Sequence, residues 1–227
     1  MDRSDCSAEV TQREQKREFS YMGTAVLTLS VSAAQTRNPV SLRAQRAINS
    51  RVRTQVWDFS RHGEETLYPR AVLDYKNALA NNFPFHAYEA VLQYETVFNQ
   101  DCLLSFYRDQ YEYTGGAHGQ TVRASDTWSL QTGERLPLSS YFQPGADYRR
   151  LMLEQILKQA DANMAQNANI YFEDYRTLIV KYFNPESYYL TPEGLAVYYQ
   201  QYEIGPYSSG IIVFTVPYST LNIRPQG

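Results

Sequence analysis

The order of predicted elements in this chain of 227 residues points to an α+β fold: antiparallel sheets with packed helices, in two intimately associated subdomains. Two observations carry this. Stretches of period-two hydrophobicity alternate with stretches of helical spacing, and turn signals separate them. The composition, 43% hydrophobic and 20% charged, is that of a chain that buries a core.

Residues 1–19 are polar, charged and without periodicity, so they are expected to form a flexible arm. From Tyr21 the alternation Ala25, Leu27, Leu29, Val31 marks a strand with one buried face. Asn38-Pro39 then supplies an N-cap and a first-turn proline, and Ala44, Ile48, Val52, Val56 and Phe59 recur at helical spacing, predicting a helix over about 39–60. Gly63 should end it. Val72, Tyr75 and Leu79 predict a shorter second helix before Asn81-Asn82.

Beyond Pro84 the period becomes two. Residues 86–98 and 101–113 read as strands joined at Asn99-Gln100, with a third over 121–130 after Gly115-Gly116. Pro144-Gly145 precedes a helix over about 147–166, and a short amphipathic piece follows from Phe172 to Phe183. Tyr188–Leu190 and Leu195–Tyr199 then form a hairpin around Thr191-Pro192-Glu193-Gly194, whose proline and glycine fit a type I turn. Ile211–Val216 is the last strand. The chain therefore divides into the arm, an N-terminal α+β subdomain over 20–120 and a C-terminal one over 121–227.

A net charge of −3 gives no global attraction to polyanions, so no nucleic acid partner is expected. Arginine outnumbers lysine 17 to 4, which favours fixed, fork-shaped contacts. Tyrosine is over-used at 20 residues, and those between Tyr171 and Tyr218 suit a Tyr-rich sheet before they suit a binding face. Two cysteines leave two readings open: one bridge tying the arm down, or a mobile Cys6 and a buried Cys102, the second being the expectation. No apolar run approaches the roughly 18 residues of a membrane span, and the first residues lack a signal-peptide core, so the chain as written is expected to be soluble.

Catalytic patterns are sparse. The three histidines, His62, His86 and His118, show no His-x-x-x-His spacing, so no metal site and no cofactor is expected. No nucleophile elbow, phosphate loop or dinucleotide fingerprint occurs. Adjacent acids such as Glu64-Glu65 and Glu173-Asp174 point different ways on a helix and read as solvated charge. His118, in the glycine-rich YTGGAHG with Gly116, is the best single catalytic candidate, with Glu112 or Asp109 as an acid partner; otherwise its imidazole holds a carbonyl in an unusual turn. The second constellation is Tyr202-Glu203-Ile204-Gly205-Pro206-Tyr207-Ser208-Ser209-Gly210, a rigid loop between apolar strands that can hold an aromatic ring outward at low ordering cost.

Four motifs, YTGGAHG (113–119), WSLQTGERLPLSSYF (128–142), YYLTPEGLAVYYQQYEIGPYSSG (188–210) and VPYSTL (216–221), together resemble paired domains of unknown function found in Gram-positive bacteria. In that family they form the extracytoplasmic part of lysozyme-sensing anti-sigma factors and the non-catalytic N-terminal part of a peptidoglycan deacetylase. Tyr202, Glu203, Pro206, Tyr207 and Gly210 match the family pattern; Gln201, Gly205, Ser208 and Ser209 depart from it. These residues hold neither the sigma-binding segment nor the deacetylase's Asp-Asp and His-x-x-x-His pairs.

The resemblance implies a non-catalytic, extracytoplasmic or cell-surface module that recognises a lysozyme-like protein or a peptidoglycan fragment through Tyr202, Glu203, Pro206, Tyr207, Ser208 and Gly210, with His118 and Gly116. The alternatives are a hydrolase of cell-wall material acting through His118, and a structural accessory domain that packs through exposed sheet edges.

Overall fold

The structure, a computed structural model, describes residues 6–166 and 169–225. Residues 1–5 of the expected arm lie outside these. A five-stranded sheet has the order β1-β2-β3-β4-β5. Its strands are β1 (Glu9–Tyr21), β2 (Thr24–Arg37), β3 (Tyr88–Gln100), β4 (Leu103–Tyr113) and β5 (Gln120–Ser129). Helices α1 (Leu42–His62) and α2 (Tyr68–Asn81) cover one face. A three-stranded sheet, β6 (Tyr188–Leu190), β7 (Gly194–Tyr199) and β8 (Ile212–Pro217), crosses the other face, with α3 (Tyr148–Gln166) and α4 (Tyr175–Tyr182) beyond it; a last turn, α5 (Tyr218–Leu221), follows β8.

β1 corrects the expected flexible arm. Residues 9–21 pair antiparallel with β2 along their whole length, through a two-residue turn at Met22-Gly23 where both φ angles are positive. The strand has no apolar period because most of both its faces meet water, so its hold on the sheet is a backbone ladder. A disulfide between Cys6 and Cys102 fastens the same segment, which corrects the expectation of a mobile Cys6. Cys102 sits with Asp101 in a second turn of two positive φ angles, so the β3–β4 hairpin turns at Asp101-Cys102, two residues later than expected.

β2 and β3 run parallel, so the larger sheet is not wholly antiparallel. The α1–α2 crossover supplies the long connection that a parallel pair requires. Ser41 caps α1, its hydroxyl accepting the amide N–H of Ala44 at 3.2 Å, in place of the expected Asn38. Asn38 is buried and instead donates from its side chain to the carbonyl of Leu130 at 2.7 Å.

Gly63 does not end the helix. Its φ of −57° and ψ of −46° continue into one wider turn over 63–67, which leads directly into α2. The residue is glycine for packing: a Cβ there would lie 2.5 Å from Leu29 Cδ1.

The larger core joins Leu27, Leu29 and Val31 of β2 to Ile48, Val52 and Phe59 of α1 and to Tyr94 and Phe106 of β3 and β4. The smaller one joins Met152, Ile156 and Ala160 of α3 to Tyr199, Phe214 and Val216. Between the sheets, Tyr189 and Tyr198 pack with Tyr107, and the four tyrosines of β6 and β7, Tyr188, Tyr189, Tyr198 and Tyr199, are all buried, as the Tyr-rich sheet reading expects. β5 lies at the edge of the larger sheet, which therefore extends past residue 120, where the sequence divides the chain. Among the described residues no helix is long and apolar enough to cross a membrane.

Candidate functional site

The two motifs singled out in the sequence meet at the free edge of β5. Gln200, in the loop after β7, lays its amide along the β5 backbone: Oε1 accepts the N–H of Arg123 at 2.9 Å and Nε2 donates to its carbonyl at 2.7 Å. Gln201 Oε1 accepts the N–H of Thr121 at 2.7 Å. These side chains act as a substitute strand, satisfying an edge that would otherwise be open. They also dock the 200–210 loop beside the 114–119 loop.

His118 and Tyr207 then stack, ring centroids 3.8 Å apart and 20° from parallel. Tyr202 lies beside them, 5.9 Å from the Tyr207 ring, with its hydroxyl 3.5 Å from His118 Nε2, the limit of a hydrogen bond. His118 Nδ1 is 3.0 Å from the carbonyl of Gly119; only a donor can meet that oxygen, so Nδ1 carries a proton, and in the neutral ring Nε2 is then the acceptor facing the Tyr202 hydroxyl. Beneath them, Tyr111 fills the space where a Cβ on the buried Gly119 would be, and burial pushes its phenol up.

Tyr202 is half exposed and takes the left-handed conformation, φ 67°, which turns its ring away from the core. His118 and Ser208 are exposed, and Gly116 is exposed at the tip of the neighbouring loop. Pro206 starts a short 3-10 turn over Tyr207–Ser209, and Gly210, at φ 63° and ψ −147°, leads out of it into β8. Gly205 is one of the positions that depart from the pattern of the family the sequence resembles. A Cβ there would lie 2.6 Å from the Ile170 carbonyl, while Ser209 reaches the same carbonyl at 2.7 Å through its hydroxyl, so glycine lets this loop sit tight on the 169–172 segment.

Glu203 differs in kind from its neighbours. Its Oε2 accepts the N–H of Gln200 at 2.7 Å, holding the turn that aims Tyr202. Burial pushes its carboxyl up, against the smaller opposing effect of that hydrogen bond. A folded-state pKa above the unfolded one means stability that is complete while the group is protonated and is eroded as pH rises through the folded value. Glu203→Gln keeps an acceptor and removes the charge. Its melting temperature relative to the wild type should therefore climb as the pH is raised from below the ordinary carboxyl range to above it. A gap that closes or reverses over that interval in thermal melts would contradict the assignment.

The acids considered as partners for His118 are engaged elsewhere. Asp109 holds Arg123 in a two-pronged pair at 2.8 and 2.7 Å. Glu112 pairs with His62 at 3.1 Å on the helix-covered face. Among the described residues no three His, Cys, Asp or Glu side chains converge on a point. The site thus offers an exposed aromatic surface with a histidine, hydroxyls and backbone groups.

Sequence reasoning found His118, Tyr202 and Tyr207 separately but not their stacking, and it missed Tyr111, Gln200 and Gln201. The one available signal was the pair of long amides directly before Tyr202 at a strand end.

Two family models match the chain. One, described as protein of unknown function (DUF3298), covers residues 140–219. The other, described as deacetylase PdaC, covers residues 15–121. The chain carries the paired domains. The platform joins them, since Tyr202 and Tyr207 lie within the DUF3298 match and His118 within the PdaC match.

Solved structures agree on the fold. A DUF3298 family member from Bacteroides fragilis has a TM-score of 0.74 at 18% identity, covering 98% of this chain and 96% of that one. A DUF3298 family protein from Pseudomonas aeruginosa has a TM-score of 0.64 at 17% identity, with 96% and 95% covered. No curated protein matches the chain.

Proposed function

We propose that the paired domains are a non-catalytic binding module outside the cytoplasm, associated with the cell wall, whose platform of Tyr202, Tyr207 and His118 holds a glycan. The carrying observation is that two loops 84 residues apart bring three rings together at the surface, His118 stacked on Tyr207 and Tyr202 tilted beside it. Such rings present flat apolar faces to the C–H faces of a sugar and a polar tip to its hydroxyls, with little side-chain entropy to lose. The pairing of His118 with a carbonyl and a tyrosine, and not with an acid, favours binding over general base chemistry. The disulfide suits an oxidising compartment. The model named for a deacetylase supports the link to cell-wall material.

Calorimetry with soluble muropeptides and chitooligosaccharides tests this. The wild type should bind, and Tyr207→Ala or Tyr202→Ala should weaken binding by about tenfold, on the scale of removing one aromatic ring from the platform. Absence of heat with both glycans, or equal affinity in both variants, overturns the reading.

A lysozyme-like protein is the second reading, favoured by the match of Tyr202, Glu203, Pro206, Tyr207 and Gly210 to the family pattern. Hen lysozyme in the same titration distinguishes the two. Against the hydrolase alternative, His118→Ala should leave any release from cell-wall substrates at the wild-type level, whereas a loss of release would favour that alternative.

A further inference from the structure

A trough of about 530 Å³ lies on the far side of the molecule, between β1 and the outer flank of α1, and no element covers it. Its size falls in the range of small-molecule sites. Its floor is apolar but shallow, formed by Ala33, Ala34, Val52 and Val56. The rim is cationic: Arg13 and Arg17 project from the helix-facing side of β1, and Arg53 stands on α1. The trough exists because that side of β1 carries long polar side chains where a covered strand would carry apolar ones.

The charge on this rim is not balanced. Arg17 pairs with Glu64, the one carboxylate lining the trough. Arg13 and Arg53 are exposed and form no ion pair among the described residues. Trp57 forms part of the wall at 58% exposure, and the Arg61 guanidinium lies over its ring at 4.5 Å from the centroid, which fixes its orientation. The side chains of Trp57, Gln15, Gln35 and Ser60 all line the trough and make no hydrogen bond to another described residue.

We infer that this trough is a binding site for an acidic sugar, a saccharide carrying a carboxylate or phosphate group. The uncompensated guanidiniums of Arg13 and Arg53 supply the fork geometry that suits either anion. The exposed indole supplies a stacking face for a ring, and the free amides and hydroxyl match its hydroxyl groups. A fatty chain would leave those amides unpaired, which disfavours a lipid. This site is separate from the aromatic platform and does not depend on it.

Tryptophan fluorescence reads the site, because Trp57 is exposed whereas Trp128, the other tryptophan, is 6% exposed in the core. Glucuronate-bearing oligosaccharides and N-acetylglucosamine 6-phosphate are titrated against the full chain, with chitotetraose as the neutral probe. At least one acidic probe should shift the emission saturably, and which one does so separates a carboxylate ligand from a phosphate ligand. In the double variant Arg13→Gln/Arg53→Gln the dissociation constant should rise by about tenfold or more for each guanidinium removed. Both arginines are exposed and unpaired, so the variant should melt like the wild type. Tyr207→Ala should leave the signal intact. The inference is overturned by any of three results: no saturable shift with either acidic probe at millimolar concentration, equal affinity in the double variant, or equal response to chitotetraose.

Discussion

Replacing Cys6 and Cys102 together by serine should lower the melting temperature by about 10–15 °C, the largest effect expected of any conservative change in this chain. The bridge closes a separation of 96 residues, and constraining a loop of that size in the unfolded chain contributes about 4–5 kcal/mol in the chain-entropy account. The native side fits the link without rearrangement: the Cα atoms lie 4.7 Å apart, and the Cys102 amide donates to the Cys6 carbonyl at 2.8 Å. Asn99 closes the next step, accepting from the Ala8 amide at 2.8 Å and donating to its carbonyl at 2.6 Å.

The loss should also be local. Because β1 lacks an apolar face, the reduced protein should exchange amide hydrogens fastest over residues 9–21, while β3 and β4 stay protected. Differential scanning calorimetry and hydrogen exchange on oxidised and reduced protein read both effects. A melting shift under about 2 °C, or uniform exchange across the sheet, would remove the bridge from its assigned role.

That segment also marks how far the sequence could be read. Elements whose burial imposes a period were legible: β2 with Leu27, Leu29 and Val31, α1 with Ile48, Val52 and Phe59, and the β6–β7 hairpin with its Thr191-Pro192-Glu193-Gly194 turn. β1 was not, because a strand with solvent on one face and an open trough on the other carries no apolar alternation for a sequence reading to detect. Its main partner is the backbone of β2, with scattered side-chain contacts such as Gln12 to the Tyr94 carbonyl, and the disulfide lies just before it.

The same limit applied to sites. The loop of Tyr202–Gly210 and the His118 turn were each recognisable from glycine, proline and aromatic residues. Their union depends on Gln200 and Gln201 reaching the β5 edge, which no local pattern encodes. The trough combines Arg13 from a strand read as an arm with Trp57 from a helix read only for its buried face, so neither half drew attention.

The second large effect is expected at Asp126. Its carboxylate is 3% exposed on β5, beneath α1. Oδ2 accepts from Gln55 Nε2 at 2.9 Å and from Arg108 Nη1 at 3.2 Å, and Oδ1 lies 2.7 Å from Arg135 Nε. Gln55 in turn accepts the Tyr94 hydroxyl at 2.6 Å, and Arg135 reaches Glu186 of the C-terminal half at 2.6 Å. One buried carboxylate thus links the larger core to the second sheet's layer. Removing one member of a buried pair costs more than the pair contributes, because the partner's charge stays behind.

Arg108 is 14% exposed, Asp126 is its ion-pair partner, and its Nε already lacks a hydrogen-bond partner, so Asp126→Ala should destabilise by about 3–5 kcal/mol. The double variant Asp126→Ala/Arg108→Met should recover a substantial part of that loss, since no unpaired guanidinium then remains in the interior. Urea denaturation of the four proteins in a double-mutant cycle measures the coupling directly. Additive losses would mean that Asp126 acts through Gln55 and Arg135 alone. Coupling of about 1–3 kcal/mol would place the Arg108 pair at the centre of this buried network.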